Sequence, residues 1–514
     1  MRAAVRQALR LSGSVWAVAI GGALAHVMLL AAIDLGSNSF RLEIGQAIGS
    51  HIARSGYWKE TVRLAAGLGA DNRLSRRAID NACVCLARMN ERLRGMGEAQ
   101  VRAVGTQTLR QAVNADQFLA EAQRVLGYPI EIISGREEAR LVFEGCTRTL
   151  PPSKRRRLVV DIGGASTEVI VGRDFTPAHA ESFKVGCVGT TIRFFPEGRI
   201  DRTSLRRAQV ACAAELEEAQ AAFHQYGWDE AYGSSGTIGA AAVILRSQGW
   251  SDGVVTASGL ARLRQALLDF GEVRRVHFDA IKAERAEVLV GGIAALSAVF
   301  ETFGIEEMRP AKGALRAGLL YDLLGRRERH DVRDATVLRW QQRYGADRAL
   351  AGMIGATARK FYHALIPDAH EEALRTLRFA CQLHEIGFAV SHSDYHKHSA
   401  YLVRNGDMPG FSTSDQERVA ELVLGQRGNL RKVIDVLGDP LRAGRLLALR
   451  LAIVLHHARR PVRLPHWRLH VNRSFEFGID RSWIGHRPLT RHLLEEEAQQ
   501  WERVGIAFTI REMN

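Results

Sequence analysis

Two short stretches of this chain are near copies of one another. Ile33-Asp34-Leu35-Gly36-Ser37-Asn38-Ser39 is matched by Val160-Asp161-Ile162-Gly163-Gly164-Ala165-Ser166. Each follows one apolar run and precedes another, so a strand, a tight turn and a second strand are expected twice. Glycine and other small residues in such a turn let backbone N–H groups converge on an anion. An Asp at the strand end can hold a hydrated divalent cation. The hydroxyls of Ser37, Ser39, Ser166 and Thr167 add donors. The phosphate-binding candidates are therefore Ser37, Asn38, Ser39, Gly163, Gly164, Ser166 and Thr167, and the metal-side candidates include Asp34 and Asp161. One such turn alone reads equally well as a Gly-Ser hairpin with an incidental Asp. Two at domain scale point to loops that face each other and clasp a phosphate chain.

The rest of the chain organises around these turns. Strands are expected at 31–35, 40–44, 100–105 and 129–133, and helices at 76–96, 114–126 and 137–149, an alternation that signals an α/β sheet covered by helices. A Pro-Pro and basic stretch at 151–157 breaks the pattern. A second α/β unit begins at Leu158 and ends near Gly325. Helical patterns then dominate, including 346–365, 370–383 and 414–424, before a short α+β tail. The expected domains are 1–28, an extension outside the core; 29–155 and 156–325, two lobes; and 326–514, a helical domain. An apolar run precedes the first turn, but residues 15–27 fall short of the ~20 apolar residues that a membrane span needs.

Composition narrows the partners. Lys plus Arg exceed Asp plus Glu by 14, which favours polyanions: nucleic acid, anionic lipid or polyphosphate. The six cysteines are scattered without a CxxC pair, which suits a reducing compartment and argues against disulfides or a cysteine zinc site. A cytoplasmic location is expected, and the basic surface also suits peripheral contact with the inner membrane face.

Duplicated lobes of this kind are the actin-like, ribonuclease H-like layout, and further motifs carry a more specific resemblance. Gly105-Thr106-Gln107-Thr108-Leu109-Arg110, Ile133-Ser134-Gly135-Arg136-Glu137-Glu138-Ala139-Arg140, Asp161-Ile162-Gly163-Gly164-Ala165-Ser166-Thr167-Glu168, Gly233-Ser234-Ser235-Gly236-Thr237 and Gly313-Ala314-Leu315-Arg316 closely resemble the exopolyphosphatase / guanosine pentaphosphate phosphohydrolase (Ppx/GppA) family. With the two turns and two later motifs, the resemblance runs from about residue 29 to the end.

The resemblance implies a Mg2+-dependent hydrolase that releases orthophosphate from a polyphosphate terminus. It makes Glu138 the catalytic carboxylate, adds Glu168 to Asp161 on the metal side, and implies a homodimer with no nucleic acid required. Glu138 is pictured as a flexible acid at the cleft lip, where a general base reaches water; read without the family it is an N-terminal helix acid. Glu137 is read as that bland case. Arg110, just after a predicted strand, is placed to steady phosphoryl charge, or else makes a surface ion pair. Ala165 stands where the family usually has glycine, and a positive φ there would cost about 1–2 kcal/mol.

In the helical domain, His384-Glu385 with His392, His396 and His398 resembles an HD-like metal site with incomplete ligation, Gln426-Arg427 replacing the usual His-Arg. Arg404, Arg427, Arg431, Lys432, Arg442 and Arg445 could instead extend a polyphosphate track. Three functions stay open: exopolyphosphatase, the 5′-phosphatase of guanosine pentaphosphate, and a sensor that closes on a phosphate ligand without hydrolysis.

Overall fold

The computed structural model of this protein describes residues 9–11, 15–20, 23–328, 330–471 and 474–514. It divides into two compact units, Met1–Asp331 and Val332–Asn514.

The first unit contains two sheets built on the same plan. In one, the central strand Ala23–Leu35 pairs antiparallel with Ser39–Ile48, which pairs antiparallel with His51–Thr61. On its other edge it runs parallel to Val101–Gly105, and that strand to Ile130–Ile132. In the other, Arg157–Ile162 pairs with Thr167–Arg173 and then Thr176–Phe183, and on its far edge runs parallel to Glu230–Ser234 and then Glu307–Pro310. Numbered in chain order, the five strands just named read 3-2-1-4-5 in both sheets, and Val255–Thr256 adds a strand beside Glu307–Pro310. Hairpins join the antiparallel strands, and helical crossovers join the parallel ones.

Strand parity decides where the acids of the repeat go. Side chains alternate across a strand, so Ala31, Ile33 and Leu35 enter the outer core of the first lobe while Leu30 and Ala32 enter a core shared by the two lobes. Asp34 has the parity of the second set. In the other lobe Leu158, Val160 and Ile162 enter the outer core and Val159 the shared one. Asp161 has the parity of Val159. Both acids therefore stand on the faces that look toward each other.

The shared core is filled by two helices, Gly135–Thr149 and Leu315–Arg327. They cross at glycine: a Cβ on Gly145 or Gly318 would collide with the carbonyl of Ala314 or Leu141. A buried ion network ties them, with Asp322 accepting from Arg102 at 2.6 Å and Arg140 at 2.5 Å. Arg140 also grips Glu137 through two bonds of 2.8 Å. Glu137 is thus a helix N-terminal acid, as expected, and also a buried one (2% exposed) that serves the ion network.

Part of the stretch read as an extension is also strand. Backbone over 23–28 prolongs the central strand and pairs antiparallel with Val15–Ile20. The parallel neighbour begins only opposite Ala31, which leaves an open edge for a preceding strand to cover. The remainder of 1–22 lies outside the described residues, apart from a short strand at Leu9–Leu11.

The second unit is mostly helical. Arg348–Leu365, Glu371–Leu383, Tyr395–Asn405, Thr413–Gly425 and Pro440–Leu455 enclose a single apolar core. A three-stranded sheet of Trp467–Val471, Phe475–Asp480 and Phe508–Met513 joins that core. The fold class expected from the sequence is the one observed: α/β, two actin-like lobes, then a mostly helical unit. No helix among the described residues is long and apolar enough to cross a membrane.

Candidate active site

The two turns meet. A Cβ on Gly164 would sit 3.4 Å from the Cβ of Ser37 and 3.6 Å from that of Asn38. Between the lobes opens a cleft of about 340 Å3 lined by Asp34, Ser37, Asn38, Ser39, Glu138, Asp161, Gly163, Gly164, Ser166 and Glu168. Ten of the twelve residues singled out from the sequence therefore share one cavity. Local bonds set each loop. The first is braced by Val62, Arg63 and Ala65 amides donating to the carbonyls of Asn38 and Ser37, and by Thr108 donating to Ser37 Oγ at 2.7 Å. In the second, Gly163 donates to the Ser166 carbonyl at 2.8 Å, while Cys187 and Val188 amides donate to the carbonyls of Gly163 and Gly164. These bonds fix the carbonyls of each turn; its remaining amides are the donors that an anion nest would use. Ala165 is not among the residues with positive φ, so the strain expected for it does not arise.

Two of the twelve stand elsewhere. Thr167 is fully buried and donates its hydroxyl to the Val185 carbonyl at 2.6 Å. It faces the opposite side of its strand from Glu168, and parity removes it from the phosphate set. Arg110 lies behind Glu138 and does not line the cleft. Its guanidinium donates to Glu138 Oε2 at 2.9 Å, to the Ile133 carbonyl at 2.8 Å and twice to Gln107 Oε1. It holds the acid and does not reach out toward a phosphoryl group.

Glu138 itself occupies the first turn of Gly135–Thr149, capped by Ser134, and is 8% exposed. It is a fixed, buried carboxylate and not a flexible one at the lip. Burial pushes its pKa up to about 7, against the pull of Arg110 and with help from Asp34 and Asp161. A base poised near neutral pH suits proton abstraction. Burial, then Glu138 and Asp161, hold Glu168 well above the ordinary carboxylate range, although Ser182 donates to it at 2.8 Å. Burial lifts Asp161 to about 6, with Asp34 adding to the shift and Arg41 and Ser234 opposing it.

Among the described residues no group of three or more His, Cys, Asp or Glu is packed as a metal cage. A Mg2+ ion needs less: one or two carboxylates, with water and phosphate oxygens completing its shell. Asp161 and Glu168, two desolvated hard-oxygen donors whose pKa values burial and neighbouring acids raise, fit that requirement, because a cation would offset the cost of ionising them. Asp34 fits it less well, because Arg41 and Arg316 stand 3.5 and 3.4 Å from its Oδ2.

Sequence reasoning missed the cations. Arg41, Lys59, Arg285, Lys312 and Arg316 also line the cleft. Arg285 is half-buried, and burial, with Arg41 adding to it, lowers its pKa. Its guanidinium lies on Gly236, where any Cβ would collide with it. That close approach explains the second glycine of Gly233-Ser234-Ser235-Gly236. Ser235, at φ 77°, is held in the left-handed region by donating to the Ile162 carbonyl at 2.7 Å. Nothing local marks Arg285 as a cleft residue except its spacing after this motif in three dimensions.

A second cavity of about 590 Å3 adjoins the first through Ser37, Asn38, Lys59, Gly236 and Arg285. Its walls include Val188, Ile192, Ala240 and Val243, and Ile192 and Val243 are 60% and 48% exposed.

In the helical unit, the metal-like pair is already engaged. Arg459 grips Glu385 at 2.6 and 3.0 Å, which supplies in cis the positive charge that a metal would bring. Of the cations read as a polyphosphate track, Arg404 and Arg442 are paired with Glu417 and Glu421.

Comparison with known proteins gives the family. Residues 50–327 match the Ppx/GppA phosphatase family, and residues 332–498 match domain III of Ppx/GppA phosphatases. Among solved structures, the chain is similar to an exopolyphosphatase from Cytophaga hutchinsonii (22% identity, TM-score 0.53, covering 58% of this chain and 98% of that one). It is similar also to the Aquifex aeolicus member of the Ppx/GppA family (24% identity, TM-score 0.50, covering 59% and 99%). At such identities the structural likeness speaks to the fold. With the family matched over more than half of its length, the chain belongs to the Ppx/GppA phosphatase family.

Proposed function

We propose that the interlobe cleft hydrolyses the terminal phosphoanhydride bond of inorganic polyphosphate and releases orthophosphate. The observation that carries this reading is Glu138: a carboxylate fixed by Arg110, desolvated to a pKa of about 7, beside two anion-binding turns. Water attacks the terminal phosphorus, Glu138 takes its proton, and the bridging P–O bond breaks. The amides and hydroxyls of the turns orient the terminal phosphoryl group, and Lys59, Arg285 and Lys312 neutralise the oxygens that gain charge. Phosphoryl transfer asks mainly for such positioning and neutralisation. Asp161 and Glu168 would hold Mg2+, which, when bound, supplies further charge neutralisation on the phosphate oxygens.

Guanosine pentaphosphate is the second reading, favoured by the apolar cavity beside the cleft, which has room for a base. The test offers purified protein with Mg2+ both substrates in parallel, with Glu138→Ala as control. Faster phosphate release from long polyphosphate, cut about 10²–10⁴-fold in the variant, supports the first reading. Faster release from the nucleotide promotes the second, and release from neither leaves a binding protein.

A further inference from the structure

The helical unit encloses a cavity of about 450 Å3 that plays no part in the chemistry above. Its size is that of a small-ligand pocket, and three of its walls have distinct chemistry.

The inner wall offers acceptors. Gln426 is 2% exposed, and its Nε2 donates to the His384 carbonyl at 2.8 Å and the Val423 carbonyl at 3.0 Å. Two carbonyls fix which end of the amide faces them, so the Oε1 end has to face away. That oxygen is buried and without a hydrogen-bond partner among the described residues. His384 is oriented in the same sense. Its Nδ1 lies 2.7 Å from the Cys381 carbonyl, so Nδ1 carries the proton and Nε2 keeps its lone pair. Burial lowers its pKa, which keeps the ring neutral. A buried acceptor left unpaired is costly, and a donor brought by a ligand removes that cost.

A second wall is aromatic: Phe388 stacks with Tyr395 at 4.1 Å and with His392 at 5.2 Å between centroids. One side of the rim is cationic; of the three acids that also line the cavity, Glu385 is held by Arg459 and Glu497 by Arg450, and Glu496 stands on a different element. Exposed Arg427 lies 5.3 Å from the Tyr395 ring centroid and has no carboxylate within ion-pair distance among the described residues. Lys432, next to the lining and not part of it, donates to the Arg427 carbonyl; burial first, then Arg450, Lys397 and Arg427, lowers its pKa to about 8. Cations that hold one another down in this way favour an anion.

These walls exclude simpler occupants. A metal would compete with Arg459 for Glu385. A bare phosphate chain would meet the lone pairs of Gln426 and His384 in the interior. What fits is a planar body with N–H donors on one edge and an anionic tail. We infer that this cavity binds a purine nucleoside phosphate, with the exocyclic amine of the base donating to Gln426 and the phosphate at Arg427.

Isothermal titration of the full chain with AMP and GMP tests this. One site is expected, weakened about tenfold or more by Arg427→Glu, as loss of a charge-assisted contact implies. Arg285→Glu, in the interlobe cleft, should leave that affinity unchanged. Purine riboside 5′-monophosphate, which lacks the amine, should bind at least tenfold more weakly, and Gln426→Leu should erase that preference. Circular dichroism checks that Gln426→Leu folds; if it does not, Arg427→Glu, on the exposed rim, decides the matter. The inference is overturned by absence of heat with both nucleotides. It is overturned equally by binding that follows Arg285 and ignores Arg427, or by tripolyphosphate binding as tightly as AMP in an Arg427-dependent way.

Discussion

The two turns resemble one another in sequence and hold the same place in the same strand order, yet their aspartates live in different electrostatic surroundings. Asp34 faces Arg41 and Arg316 at 3.5 and 3.4 Å. Asp161 has no carboxylate–cation pair within ion-pair distance among the described residues and is lifted to about 6, chiefly by burial, with Arg41 and Ser234 opposing the shift. A paired acid organises the cations around it. An unpaired, desolvated acid is available for a cation that arrives with the substrate. The two loops are alike; the neighbours contributed by distant segments leave Asp34 beside two arginines and Asp161 as the acid proposed for the metal side.

Exchanging each acid for its amide tests this division most directly. Asp161→Asn should lower Mg2+-dependent turnover about 10²–10³-fold, the range seen when one preorganised charge is removed from a transition state, and raise the Mg2+ concentration needed for half-maximal rate. Asp34→Asn, which removes a carboxylate from Arg41 and leaves Arg316 with Glu43, should cost nearer tenfold and leave the Mg2+ requirement close to unchanged. Equal losses in steady-state assays would break the comparison.

The pH profile gives a smaller but sharper effect. Glu138 acts as a base only when ionised, so kcat/KM should rise through an acid limb near pH 7. Arg110 opposes the upward shift, and Arg110→Gln should therefore move that limb to higher pH by about one unit. A limb that stays in place would mean that Arg110 does not hold the base.

Mg2+ should also stabilise the protein unequally across pH. Asp161 and Glu168 have folded pKa values raised above the ordinary carboxylate range. The folded state then binds more protons than the unfolded one, and metal-free stability falls as pH rises from about 4 through the folded values. The gain in Tm on adding Mg2+ is expected to be a few degrees larger at pH 8 than at pH 5, measured by scanning fluorimetry. A gain that is the same at both pH values would contradict the metal-side assignment of these two acids.

The smallest effect concerns the turn itself. Ala165 adopts no positive φ, so Ala165→Gly should change kcat less than about twofold and add only the chain-entropy penalty of glycine, up to about 1 kcal/mol. A large gain in rate would show that the alanine restrains the loop.

Much of the site is legible locally. Helix Gly135–Thr149 announces itself by Ser134 and two acids in its first turn, and Glu138 is found by its motif. What escaped was orientation at the scale of one residue. Glu137 and Glu138 are adjacent, and only the packing of Arg140 against Asp322 makes the first structural and leaves the second facing the cleft. Thr167 sits inside the motif and still points away, because Glu168 on the same strand takes the cleft side.

By itself the sequence determined the internal repeat, the alternation that sends Asp34 and Asp161 to one side of their strands, and the hydroxyl- and glycine-rich turns proposed to bind anions. Those follow from periodicity and backbone sterics, which neighbours in the chain dictate. Tertiary structure alone decided that Arg285 rests on Gly236, that Arg110 backs Glu138, and that buried carboxylates are held near neutrality. Desolvation and long-range charge depend on which distant segments surround a group, and no local pattern encodes that.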